Sequence, residues 1–237
     1  MALAAFLFEG SALSQTPGSN ESSLVPNYLY LADQTADAIT TYTIDAVTGQ
    51  LRSTGYANTG ITPSGIAARP DGKVIYSTAE FGESVYSFLV NPRSGILGFD
   101  GISHLNKNAD PFGVVVHPSG KFLYVAQWNL HNVAAFQINV ITGDLTMVPG
   151  SPFPAGNYDL EMAIDPAGKF LYTGNVSDNT ISAFTINQNT GALSAVIGLS
   201  LIHISLADFN GIRINRPPGG HGNRGGNSSG GFSIWHM

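Results

Sequence analysis

The 237-residue chain contains no cysteine. Disulfides, thiolate metal sites and a cysteine nucleophile are therefore excluded, and thiol usage carries no information about compartment. Charge is also scarce, at 11% of residues, and 10 lysines and arginines against 16 acids give a net charge of −6 without any basic cluster. A nucleic-acid surface needs concentrated positive charge, so DNA and RNA are set aside as partners. Long hydrophobic runs are missing too. The only N-terminal one, ALAAFLF (Ala2 to Phe8), is far too short to span a bilayer and has no Lys/Arg before it. It reads as an ordinary strand or a ragged start, with a damaged export signal as the other reading. Cytoplasmic and exported locations both stay open.

Glycine, by contrast, is plentiful at 28 residues, and polarity comes mainly from neutral Ser, Thr and Asn. Turn formers in this proportion favour an all-β protein. Self-similarity is plain. RPDGKVIYSTA, HPSGKFLYVAQ and DPAGKFLYTGN place Pro70, Pro118 and Pro166 at a spacing of about 48 residues. DAVTGQL, NPRSGIL, NVITGDL and NQNTGAL place Gly49, Gly95, Gly143 and Gly191 at nearly the same period, so the unit occurs four times.

Each unit divides into short strands with a period of two. GIAARP, GVVVHP or EMAIDP opens it, a Pro-x-Gly-Lys turn follows, and VIYSTA, FLYVAQ or FLYTGN returns. In the third strand Tyr42, Phe88, Phe136 and Phe184 hold one slot, and Ile44, Val90, Ile138 and Ile186 hold another on the same face. An Asn/Asp-x-x-Ser/Thr-Gly turn leads to a fourth strand starting at Leu51, Leu97, Leu145 or Leu193. Four antiparallel strands per unit of about 47 residues predict a β-propeller. The reading is all-β with about four blades, three complete and one lacking its inner strand. Counted back from Tyr30, that strand falls near Gly18 to Leu24, where GSNESSL is too polar for it. The segments are residues 1–27, irregular; 28–198, propeller repeats (units about 28–60, 61–108, 109–156 and 157–198); and 199–237, an atypical Gly/Asn-rich tail. An open arc of about four blades, with unpaired end strands, invites self-association through those edges.

The phrases PSGIAARP, PSGKFLYVA and ISAFTINQNTGAL, with PGSPFPAG between units, resemble the lactonase family of seven-bladed propellers, which includes 6-phosphogluconolactonase-like enzymes and shades into surface propellers with YVTN-type repeats. The resemblance covers about residues 28–198 and implies a sugar-lactone hydrolase that needs no cofactor. It further implies an Arg-His pair opening the first strand and an Asn-Glu pair closing the second. Such residues suit the reaction: Arg can hold a carboxylate or phosphate, and His or Glu can activate water. In this chain the Arg-His slots hold Ser64-Gly65, Phe112-Gly113 and Leu160-Glu161, and the Asn-Glu slots hold Asp33-Gln34, Ala79-Glu80, Gln127-Trp128 and Asn175-Val176. The constellation is incomplete.

Glu80 and Glu161 are the acid/base candidates, weighed against plain surface carboxylates. Trp128, with Gln127, Asn129 and Asp110, is the candidate ligand-binding group, weighed against packing between blades. His117 shares its slot with Arg69 and Asp165, which suggests turn surface. His104 and His131 lack metal-ligand spacing, so no metal is expected from them. Two functions stay open: a lactone hydrolase, or a non-catalytic propeller binding a protein, glycan or small molecule at its loop face. The repeat breaks at LSLIHIS (Leu199 to Ser205), whose back-translation resembles a transposase adaptor end, so residues 199–237 are expected to be foreign to the fold, with a strand followed by a flexible Gly/Asn-rich tail as the other reading.

Overall fold

The computed structural model describes residues 5–8 and 27–196; the tail and LSLIHIS lie outside them. The described chain forms four antiparallel sheets, each one blade. The first blade contains β1 (Ala5–Phe8), β2 (Asn27–Asp33), β3 (Ala38–Ile44) and β4 (Leu51–Asn58), and the second β5 (Pro63–Ala68), β6 (Val74–Ala79), β7 (Ser84–Val90) and β8 (Leu97–His104). The third contains β9 (Pro111–Val116), β10 (Phe122–Gln127), β11 (Asn132–Ile138) and β12 (Leu145–Met147), with a short β13 (Phe153–Pro154) pairing with the start of β11. The fourth contains β14 (Asp159–Ile164), β15 (Phe170–Asn175), β16 (Thr180–Ile186) and β17 (Leu193–Ala195). The only helical element among the described residues is a 3₁₀ turn, Trp128–Leu130, so none of their helices is long and apolar enough to cross a membrane.

One expectation is corrected. The first blade does have an inner strand, and it comes from the segment expected to be irregular: β1 pairs antiparallel with β2, Ala5 opposite Leu31 and Phe8 opposite Tyr28. Counting back assumed the tight Pro-x-Gly-Lys turn of the later units, and the first unit has no such turn to fix its register. Gly18 to Leu24 lie outside the described residues.

Inner strands β1, β5, β9 and β14 lie side by side in that order. The apolar cores sit between blades rather than inside them. Tyr30, Ile75 and Phe88 fill the first junction, Tyr76, Leu123 and Phe136 the second, and Tyr124, Leu171 and Phe184 the third. Full burial of each such side chain contributes about 1.5–3 kcal/mol. Alternation explains the sharing: in β6, Val74 and Tyr76 face forward to the third blade while Ile75 faces back to the first.

The tyrosine of each second strand then crosses the junction. Tyr30 donates its hydroxyl to the Gly95 carbonyl at 2.8 Å, Tyr76 to Gly143 at 2.8 Å, and Tyr124 to Gly191 at 3.0 Å. Each of these glycines has a left-handed backbone, and a Cβ on Gly95 or Gly191 would meet the ring of Tyr28 or Phe122 at 2.3 or 2.4 Å. The Ser/Thr-Gly turn is therefore the surface that receives the preceding blade. His117 belongs to the same system. It is buried, its Nε2 lies 2.8 Å from the Gly168 carbonyl of the next blade and its Nδ1 2.8 Å from Ser119 Oγ. Its slot is thus a junction contact and not turn surface.

Candidate functional site

Pairing puts the start of each inner strand and the end of each second strand at one edge: Pro63 faces Ala79, Pro111 faces Gln127 and Asp159 faces Asn175. A backbone tie repeats there. The N–H groups of Glu80, Trp128 and Val176 donate to the carbonyls of Thr62, Asp110 and Tyr158 at 3.0–3.1 Å. All three acceptor residues have a left-handed backbone, with φ of 59°, 41° and 59°. Such conformations cost non-glycine residues of order 1–3 kcal/mol each and concentrate at functional sites. This edge is the mouth of the arc.

At the mouth, Glu80 is half-buried. Loss of solvent raises the pKa of its carboxyl, and the Asp110 charge raises it further. Burial also raises Asp110, Glu83 adds to the effect, and a hydrogen bond from the Asn129 amide opposes it. Three acids thus share one field. Trp128 lies beside Phe112 (ring centroids 5.7 Å apart) and Tyr158 (4.9 Å), and Tyr158 in turn meets the His131 ring edge-on at 4.9 Å. His131 Nδ1 accepts from the Tyr158 backbone N–H at 3.0 Å, fixing the residue that carries that ring. The outcome is a half-exposed aromatic platform next to a group of carboxyls.

Glu161 stands apart from this group. Burial alone raises its pKa to about 7. Its slot in the second blade is Gly65, where a Cβ would come 2.3 Å from the Phe112 carbonyl of the next blade, so the slot projects toward the following blade. Gln127 is completely buried, alternating with Leu123 and Val125 toward the second blade, and neither of its amide atoms has a hydrogen-bond partner. It therefore lies beneath the mouth, whereas Asn129, Trp128 and Asp110 reach it. Ser64 is committed to the junction: its hydroxyl donates to the Pro111 carbonyl at 2.7 Å.

Sequence reasoning missed Phe112, Tyr158 and Glu83. Thr62, Asp110 and Tyr158 occupy one structural position but share no residue type, so only their common place ahead of the inner strand could have marked them. Among the described residues no group of His, Asp and Glu is arranged to hold a metal ion. Two shallow depressions lie away from this edge or beside the first blade, one lined by Lys121, Gln137 and Asn189 and the other by Ala38, Ser53 and Tyr56.

Comparisons with known proteins agree with this architecture. A crystal structure from Bacteroides uniformis, provisionally assigned as a 6-phosphogluconolactonase, superposes with a TM-score of 0.67 at 22% identity, over 72% of this chain and 50% of its own. A similarly assigned protein of Bacteroides fragilis gives 0.65 at 24% identity, over 78% and 58%. The periplasmic gluconolactonase of Pseudomonas aeruginosa gives 0.60 at 20% identity, over 71% and 50%. At these identities the likeness is one of fold, and the chain spans about half the length of the structures it matches. No curated protein sequence matches it. A family model described as lactonase, seven-bladed β-propeller, matches residues 22–104 and 100–198, and with that the chain belongs to the seven-bladed β-propeller lactonase family.

Proposed function

We propose that the chain supplies part of the central mouth of a sugar-lactone hydrolase. The observation that carries this reading is the Trp128 platform beside the Glu80–Asp110 pair. An aromatic face receives the apolar face of a sugar ring, and a carboxylate held among other acids is a stronger base than a free one. In the reaction Glu80 takes a proton from water, the resulting hydroxide attacks the lactone carbonyl, and the bond from that carbon to the ring oxygen breaks. The ring oxygen takes up the proton, leaving a hydroxy acid with one water consumed. Glu161, protonated below about pH 7, is the second acid/base candidate.

The described arginines, Arg52, Arg69 and Arg93, sit at the opposite edge near the Pro-x-Gly-Lys and Ser/Thr-Gly turns. Here Arg69 pairs with Asp71 at 2.7 Å. An acidic mouth with no arginine among the described residues favours an uncharged lactone over a phosphorylated one. The test is hydrolysis of glucono-1,5-lactone followed by acid release. Glu80→Gln should lower kcat at least about 100-fold. Full activity in both Glu80→Gln and Glu161→Gln would remove the catalytic reading.

A second reading has its own support. Ser64 and Gly65 are consumed by blade packing and leave no room for an Arg-His pair there. This favours a non-catalytic propeller that binds a small ligand or glycan on the same platform. Quenching of Trp128 fluorescence by a sugar without any hydrolysis would establish it.

A further inference from the structure

Beneath the mouth of the third blade lies a pair of amides that the platform chemistry does not use. Gln127 ends β10, Asn132 begins β11, and the two are direct partners in the antiparallel pairing. Paired residues project to one face of the sheet with Cβ atoms about 4.5–5.5 Å apart. Here that face is the one turned toward the second blade, because Leu123, Val125, Ala134 and Phe136 share the core of that junction. Both amide atoms of Gln127 and the Oδ1 of Asn132 are sealed from solvent, and none has a hydrogen-bond partner among the described residues. The Asn132 amide is oriented by its other end, whose Nδ2 donates to the Leu130 carbonyl at 3.0 Å.

Neighbouring blades close the same place in other ways. In the fourth, Asn175 and Thr180 hold the two positions, and Asn175 Nδ2 donates to Thr180 Oγ1 at 2.8 Å and to Ser182 Oγ at 2.9 Å. In the second, Ala79 has no polar side-chain atom, and the Ser84 hydroxyl donates to the Gly82 carbonyl of its own blade at 2.7 Å. The ring of Tyr86 fills the space there, so close to Gly60 that a Cβ on that glycine would meet it at 2.7 Å. In the third blade Ala134 takes the place of Tyr86 and Ser182, and it brings neither ring nor hydroxyl.

We propose that Gln127 and Asn132 hold a buried water molecule at the base of the turn that carries Trp128 and Asn129. The three orphan atoms ask for one acceptor and two donors. One water gives each of them a partner, accepting from Gln127 Nε2 and donating to Gln127 Oε1 and Asn132 Oδ1. A metal cation would leave Nε2 unpaired and an anion would leave both oxygens unpaired, and each buried group left without a partner costs about 1–3 kcal/mol. The bridge joins the residues on either side of Trp128–His131, so it fastens both ends of that turn, as direct contact between Asn175 and Thr180 does in the fourth blade. This site does not depend on the lactone reading, and its test reads no activity.

The full chain serves for the test. A high-resolution crystal structure should show a water within about 2.7–3.2 Å of Gln127 Nε2 and Asn132 Oδ1. In solution, the Gln127 side-chain amide protons should give nuclear Overhauser cross-peaks to water with the sign of a molecule that tumbles with the protein. Gln127→Met keeps the length of the side chain and removes both amide atoms, so the water should be lost. The His131 backbone N–H, which donates to the Gln127 carbonyl at 3.0 Å, should then exchange about threefold to tenfold faster. Direct bonding of Gln127 to Asn132 with no density between them overturns the proposal, as does a peak ringed by oxygens at about 2.3–2.6 Å, the mark of a cation. No water cross-peak at Gln127 in the unmodified chain also overturns it, whether or not the variant folds. Unchanged exchange at His131 in a folded Gln127→Met protein overturns the fastening of the turn.

Discussion

The two edges of the arc are built from the same backbone and differ in what their side chains answer to. At the turn edge Asp45, Asn91, Asn139 and Asn187 each accept from the backbone N–H groups two and three residues on, and each of the four following glycines donates to the carbonyl of its Asp or Asn. The preceding blade docks on the glycine of that turn, so the Asp/Asn, Ser/Thr and Gly positions hardly vary. At the mouth edge the backbone tie is just as regular, but Thr62, Asp110 and Tyr158 share only their conformation. Repetition in sequence marks where a blade touches a blade; its loss marks where a side chain is released for other work.

The largest expected effect tests the turn edge. Gly191→Ala puts a Cβ into the Phe122 ring on a left-handed backbone, so a cost of about 3 kcal/mol is expected in urea unfolding. Gly49→Ala carries the same backbone penalty in open space and should cost only about 1 kcal/mol in the dilute chain. Equal costs would break the distinction between occupied and empty junction faces.

A smaller effect belongs to the mouth edge. The Glu161 carboxyl has a folded pKa near 7 because of burial, above its ordinary value of 4.5. Below the ordinary value both states are protonated and the group is neutral toward stability. As pH rises toward 7 the unfolded chain ionises first, so stability falls across that window. Glu161→Gln should flatten this part of the melting-temperature profile by a few degrees at pH 7, and an unchanged slope would count against a buried acid there. The smallest effect is Tyr124→Phe, which removes one hydroxyl from the Gly191 carbonyl and should cost about 1 kcal/mol by urea unfolding.

How much of this could be read beforehand follows the same division. The strands, the turns and the buried slot at Phe88, Phe136 and Phe184 were legible because junction packing imposes a period on them. The inner strand of the first blade was misplaced because the sequence ahead of β2 carries no Pro-x-Gly-Lys motif from which to count. His117 was misread as surface because Arg69, His117 and Asp165 look interchangeable. In fact Arg69 pairs with Asp71, His117 reaches the next blade, and Asp165 caps its own turn through the Phe170 N–H. At the mouth, the slots of Glu80 and Trp128 were legible as an edge, and the aromatic contacts of Trp128 were not. Phe112 and Tyr158 are brought to Trp128 by the positions of two different blades, which no single repeat displays.

Cores placed between blades also set the order in which the chain lets go. Among the described residues the first and fourth blades are each held by one apolar junction, the second and third by two. Stability in such an array adds up neighbour by neighbour. Amide hydrogens of β6 and β10 should therefore exchange slowest and those of β3 and β16 much sooner. Within the described residues, unfolding works inward from the first and fourth blades rather than opening at the mouth.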